Sequence, residues 1–188
     1  ERIWNTSTLG ELRRKAAALL AEAHREEDAV RLFQQCEAWD DYRTLVHTQA
    51  PLLVQQGRTQ TLDSWITQLP APQREVDPWM DFWAANSRLF VAPREASVLY
   101  ESAMTRFWQQ GERAGMLLAW SGAVQTILIT WSGMKRLHDL MRLFDEMDAE
   151  GTGYPSLEVE AVVAQAMAGA YMHMYPEQPK AREWLDRS

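Results

Sequence analysis

Apolar residues recur three and four positions apart along nearly the whole chain, and turn residues interrupt them at regular intervals. That pattern predicts helices almost throughout. Thr8 with Glu11 three residues on forms a capping box for a first helix, whose expected core stripe is Leu9, Leu12, Ala16, Leu19, Leu20 and Ala23. A second helix is expected from Glu27 to Cys36 with Ala29, Val30 and Phe33 inward. A third is expected from Trp39 to Gln56, with Tyr42, Leu45, Val46, Leu52 and Leu53 as core candidates. Pro51 inside it predicts a kink or break, and Gly57 ends it. A fourth runs from Thr59 to Leu69, stopped by Pro70, with a loop to Val76. Asp77-Pro78 then reads as an N-cap followed by proline at the first helical position, opening a helix to Val91 that carries Trp79, Phe82, Trp83, Leu89 and Phe90.

Pro93 opens the next helix, with Ala96, Leu99, Tyr100, Ala103, Met104 and Phe107 on one side, and Gly111 closes it. An uncharged stretch from Ala114 to Trp131 follows, and Gly133 breaks it from a helix over Met134 to Met147 with Leu137, Leu140, Met141 and Phe144 inward. Gly151 to Pro155 reads as a loop, Ser156 to Tyr175 as a long helix, and a last helix follows Pro179. No Asn-Gly or Asp-Gly hairpin and no long strict alternation argues for strands. The longer helices start near Trp39, Pro78, Glu112 and Ser156, at separations of 34 to 44 residues. Helix pairs at such a period mark tetratricopeptide-like and related α-solenoids. Gln55-Gln56-Gly57 recurs as Gln109-Gln110-Gly111, each at a helix end. The fold expected is all-α: one domain over residues 1–188, a right-handed α-α superhelix of tetratricopeptide-like helix pairs. An irregular helical bundle is the alternative.

Several segments, in this order, resemble the helical sensor region of large LuxR-type, MalT-like bacterial transcriptional regulators. They are Leu12-Arg13-Arg14-Lys15-Ala16-Ala17, Glu27-Asp28-Ala29-Val30 to Trp39, and Leu52-Leu53-Val54-Gln55-Gln56-Gly57. Leu62-Asp63-Ser64-Trp65-Ile66-Thr67-Gln68-Leu69-Pro70 resembles the Trp-Ile/Leu-x-x-Leu-Pro end of a family helix pair. Asp77-Pro78-Trp79-Met80-Asp81-Phe82-Trp83 and Pro93 to Glu101 look like the next unit, and Phe107 to Gly115 like the turn into another. The resemblance covers roughly residues 9 to 147. It implies a region that receives an inducer or a regulatory partner, while an NTPase module and a DNA-binding module lie elsewhere. The chain starts at Glu1 without Met and stops inside a helical pattern, so the expectation is a segment of a larger multidomain regulator.

Composition narrows the chemistry. The 188 residues carry a net charge of −7, which disfavours direct nucleic-acid contact, since that affinity comes from Lys and Arg on phosphates. One cysteine, Cys36, excludes an intramolecular disulfide and multi-cysteine metal sites. There is no phosphate loop, no Gly-x-Ser-x-Gly elbow and no His-Glu-x-x-His. His24, His47, His138 and His173 sit on four different expected helices, without a histidine partner one turn away. Asp40-Asp41 and the cluster Asp145, Glu146, Asp148 and Glu150 read as solvated helix ends rather than cation sites, and Gly151-Thr152-Gly153 lacks a third glycine. No cofactor and no metal is expected. Ala114 to Met134 is uncharged over 21 residues, long enough to span a membrane, yet a buried inner helix gives the same signature and is the expectation.

Recognition remains. Nine tryptophans, as many as the glycines, offer broad apolar faces with a polar edge. The candidate ligand-binding residues are Trp83, Asn86, Arg88 and Trp39. Around the first three, polar groups interrupt an otherwise apolar helix. The function expected is non-catalytic sensing of a small-molecule inducer or a regulatory protein in the cytoplasm, with no membrane contact. Apolar end faces of stacked repeats add an expectation of homodimerisation. The alternative is a docking scaffold of tetratricopeptide type with no small-molecule ligand.

Overall fold

A computed structural model describes residues 6–148 and 153–188. All regular structure among them is helical, and the chain gathers into two units, Glu1–Val76 and Asp77–Ser188. No described helix is long and apolar enough to cross a membrane.

The first unit contains α1 (Thr6–Glu22), α2 (Glu26–Gln35), α3 (Trp39–Gln55), α4 (Thr59–Gln68) and the short α5 (Ala71–Glu75), and α1 to α4 pack each on the next. Its core is Ala29, Val30 and Phe33 from α2, Tyr42, Leu45, Val46, Ala50 and Leu53 from α3, and Leu62, Trp65 and Ile66 from α4. The buried Tyr42 hydroxyl donates to the Trp65 carbonyl at 2.8 Å, joining α3 to α4. α3 runs through Pro51 without a break. The expected loop after Pro70 contains α5, which Arg43 of α3 holds by donating to the Gln73 side-chain oxygen at 2.6 Å.

Three helix junctions of this unit share one turn chemistry. After α3, Gly57 is left-handed (φ 71°), its N–H meets the Val54 carbonyl, and the Arg58 N–H meets that of Leu53. This is the Schellman closure, which satisfies carbonyls a helix end otherwise leaves open. The same pair of bonds closes α1 around His24 (φ 56°) and α2 around Glu37 (φ 54°). A side chain in that region carries strain that glycine avoids. Glu37→Gly is therefore expected to raise stability, by about 1 kcal/mol. Urea unfolding checks this, and a loss of stability would contradict it.

Two corrections concern α1. Thr8 lies inside the helix rather than capping it. The buried residue is Ala17; of the expected stripe, Leu9, Leu12 and Leu19 are exposed, whereas Ala16 and Leu20 are half-buried. On α3, Leu52 is likewise exposed.

The second unit contains α6 (Pro78–Arg88), α7 (Pro93–Gln110), α8 (Arg113–Thr130), α9 (Met134–Asp148), α10 (Leu157–Met174) and α11 (Pro179–Arg187). Asp77 caps α6 by accepting the Trp79 N–H at 3.0 Å. α6 stops at Arg88, short of the expected Val91, and Phe90 and Val91 are exposed. Pro93 holds Ala92 outside the helical region before α7 begins, because the residue before proline is pushed out of it. Gly111 (φ 68°) ends α7 with the Schellman bonds found after α3. Glu112 then caps α8 by accepting the Gly115 N–H at 2.6 Å.

α8 packs against α6, α7, α9 and α10, which is why its sequence carries no charge between Ala114 and Thr130. Its buried hydroxyls stay satisfied: Ser121 donates to the Leu117 carbonyl at 2.9 Å and Thr126 to that of Gly122 at 2.8 Å. Trp120 is fully buried, with Nε1 donating to the Leu140 carbonyl of α9 at 2.8 Å. Trp131, expected to close a buried helix, is instead 73% exposed, in left-handed geometry with its ring 4.7 Å from that of His173. The expected loop residues 151 and 152 lie outside the described residues.

Tyr42 and Tyr100 are both buried, and burial pushes each phenol well above its ordinary value of 10.0. The folded state keeps these protons where the unfolded chain releases them. Their stabilising contribution is intact below pH 10 and falls as pH rises beyond it, by about 1.4 kcal/mol per pH unit for each tyrosine. Urea unfolding at pH 9, 10 and 11 is expected to show this decline. A Tyr42→Phe variant should flatten the part that belongs to the first unit; a flat parent profile would contradict the assignment.

Candidate functional site

The second unit carries a groove of about 420 Å³ across α6, α8 and α10, with α7 forming its floor. Each wall helix contributes residues one turn apart, as neighbours on one helical face must be. α6 supplies Phe82 and Asn86; α8 supplies Leu118, Ser121, Gly122, Gln125 and Leu128; α10 supplies Val162, Gln165, Ala166 and Gly169. Tyr100 of α7 lies beneath, 1% exposed, with ring atoms where a side chain at position 122 would begin. Gly122 is what lets α8 approach that ring.

The groove contains no charged residue, in a chain where 24% are charged. Its polar side chains are the amides of Asn86, Gln125 and Gln165 and the hydroxyl-bearing Ser121 and Tyr100. The Asn86 Nδ2 donates to the Phe82 carbonyl of its own helix at 2.8 Å, which fixes the amide and leaves its oxygen as an acceptor. Gln125 and Gln165 are exposed. The size falls within the range of ligand sites, about 300–1,000 Å³, and the lining is apolar with a few convergent polar groups, as such sites are.

Of the expected site residues, Asn86 lines this groove and Trp83 and Arg88 do not. The Trp83 ring packs on Phe82 at 4.9 Å and Trp79 at 6.2 Å, and Trp79 packs on Phe107 at 4.9 Å, so these rings join α6 to α7. Arg88 pairs with Glu95 at 3.3 Å across the α6–α7 turn. Trp39 belongs to the first unit, 6.0 Å from Tyr42, beside a hollow of about 350 Å³ that also touches Arg14, Cys36 and Asp41. Arg14 and Asp41 form an ion pair there at 2.5 Å.

Sequence reasoning passed over Tyr100, Gln165 and Ser121 as site residues. A usable signal existed for Gln165: it is a lone amide on a helix otherwise rich in Ala, Val and Met.

No three His, Cys, Asp or Glu side chains among the described residues stand together as a metal site. His173 is held by the Gly169 carbonyl at 2.8 Å, and His24 lies 3.7 Å from Glu26. The Cys36 thiol donates to the Phe33 carbonyl at 3.6 Å. Asp145 and Glu146 are exposed, Glu146 stands 4.0 Å from Arg142, and Glu150 lies outside the described residues.

Comparison with protein-family models, curated proteins and solved structures finds no match to this chain.

Proposed function

We propose that this chain is the non-catalytic recognition region of a bacterial transcriptional regulator of the LuxR type. In this reading its helix pairs belong to a right-handed, tetratricopeptide-like superhelix that works in the cytoplasm and receives a small-molecule inducer or a regulatory protein. The observation that carries it is the charge-free groove across α6, α8 and α10, every second helix along the second unit. The order of family-like motifs along residues 9 to 147 supports the regulator context.

The mechanism is population shift. A groove occupant that prefers one arrangement of the helices stabilises that arrangement, and the attached modules follow. To take such an equilibrium from one extreme to the other, the occupant must favour one state by about 10⁴-fold. Pairing of two copies is one form that such a state would take.

The test is a thermal-shift screen of metabolites and short peptides, run on the parent and on a variant with Asn86→Ala, Gln125→Ala and Gln165→Ala. The expected result is at least one compound that raises the parent's Tm and not the variant's. Stabilisation of both proteins by every active compound would contradict the proposal. A docking scaffold without a small ligand is favoured by one separate observation, the exposed Leu9, Leu12 and Leu19 on a single face of α1. Loss of partner capture on replacing these leucines, with groove variants unaffected, supports that second reading.

A further inference from the structure

We infer that the end of the second unit that carries the α8–α9 turn is a docking surface for a short acidic segment of a partner protein, with Trp131 as its apolar anchor. The inference is separate from the groove and does not depend on it.

Trp131 is held in a position that suits glycine. It ends α8 in left-handed geometry (φ 51°), the geometry that Gly57 and Gly111 supply without strain after α3 and α7. The fold gains little from the ring in return. It is 73% exposed and lies against His173, which is exposed as well. A strained backbone that keeps a bulky aromatic side chain in solvent points to a contact made outside the fold. Tryptophan is also the side chain most often found as the anchor of an interface.

The surroundings say what that contact is made with. Two residues join α7 to α8, so α6 and α8 end on the same side of the unit. The ring contact with His173 brings the end of α10 there too. Phe90 and Val91, exposed just after α6, therefore share this end with Trp131. The helices that start here place Arg94, Lys135 and Lys180 in their first turns, all exposed. Of the acids at this end, Glu95 is paired with Arg88 and Glu101 with Arg136, and Glu177 is exposed.

The helix starts agree with this charge. At the opposite end α6, α8 and α10 begin with Asp77, Glu112 and Ser156 as side-chain caps. At this end α7 and α11 begin after Ala92 and Gln178, which give no side-chain cap. First-turn N–H groups favour an incoming carboxylate, and so do the cations beside them. The net charge of −7 repels an extended polyanion, so a short acidic segment is favoured over nucleic acid or an anionic membrane.

The test is a selection of random dodecapeptides displayed on phage against the whole chain, with Trp131→Gly as the counter-selection. Peptides that bind the parent and not the variant are expected to combine several Asp or Glu with an aromatic residue or leucine. Calorimetry with the strongest of them, capped and synthetic, is expected to show about a tenfold or greater loss of affinity for Trp131→Gly. A similar loss is expected for the triple variant Arg94→Glu, Lys135→Glu, Lys180→Glu, its helical circular dichroism unchanged. The urea midpoint of Trp131→Gly is expected to match or exceed the parent's, because glycine relieves the left-handed strain. A lower midpoint makes Trp131 a packing residue and overturns the inference. Selected peptides that are neutral or basic, or that bind parent and variant alike, overturn it too. So does Trp131-dependent binding to phosphatidylserine vesicles without any such peptide. The groove variant Asn86→Ala, Gln125→Ala, Gln165→Ala is expected to bind the acidic peptide as the parent does; loss of binding there would assign the peptide to the groove and overturn the inference while leaving the groove as the recognition site.

Discussion

Replacing Trp120 by alanine is expected to remove about 3–5 kcal/mol of stability from the second unit. The indole is fully buried in the middle of α8, its ring 4.9 Å from that of Phe144, and its Nε1 donates to the Leu140 carbonyl of α9. Truncation removes the largest fully buried side chain and leaves a cavity between the two helices. It also leaves the Leu140 carbonyl without its donor, which adds about 1 kcal/mol if no water replaces it. Domains are stable by only about 5–15 kcal/mol, so the variant should be close to unfolding. Urea unfolding followed by near-ultraviolet circular dichroism reads this directly. Trp120→Phe should keep much of the packing and lose the hydrogen bond, costing roughly half as much. A loss under about 1 kcal/mol for the alanine variant would mean that α8 and α9 are held together by something other than this contact.

The second large effect is a change of sign. On helix propensity alone, Gly122→Ala should stabilise α8 by about 1 kcal/mol. The structure reverses the expectation. A Cβ at position 122 would stand 2.4–2.7 Å from three ring atoms of Tyr100, and that ring is 1% exposed. Neither the ring nor the helix backbone can yield cheaply, so a net loss of about 1–3 kcal/mol is expected. Shrinking the obstacle should recover it: the double variant Gly122→Ala, Tyr100→Leu should lose less than the sum of its single changes, a coupling that a double-mutant cycle measures. Gly10 of α1 is the control. A methyl group added there would meet nothing within 4 Å, so Gly10→Ala should follow propensity and stabilise. Gain of stability at both glycines would contradict the close approach of α7 and α8.

These two residues also show what the amino-acid sequence makes legible. The absence of charge from Ala114 to Thr130 announces a helix buried on most sides, because a charged side chain there would have no water and no partner. Asp77 before Pro78 announces the start of α6 for an equally local reason, since the cap and the proline act within two residues. Gly57 and Gly111 likewise mark helix ends by their own freedom at positive φ. His24 and Glu37 close helices through the same bonds but are invisible as sequence signals.

The α1 stripe fails for a related reason. Leu9, Leu12 and Leu19 share one face, but the buried residue of α1 is Ala17, to one side of that face, so periodicity finds a face and not its partner. The site follows the same rule. Asn86 stands out as a polar break in an apolar helix, and it does line the groove. Trp83 and Arg88 stand out equally, yet the rotation of α6 turns Trp83 into an aromatic cluster and gives Arg88 to Glu95. Gln165 is a lone amide on α10, and it becomes part of a site only when α8 and α10 are placed side by side.

The central claim is that recognition occurs across α6, α8 and α10. The most direct measurement is a backbone amide chemical-shift titration of the labelled protein with the strongest stabilising compound from the thermal-shift screen. The account predicts that the largest shifts fall within residues 82–86, 118–128 and 162–169. Shifts concentrated on the exposed leucine face of α1, with those three segments unmoved, would contradict it.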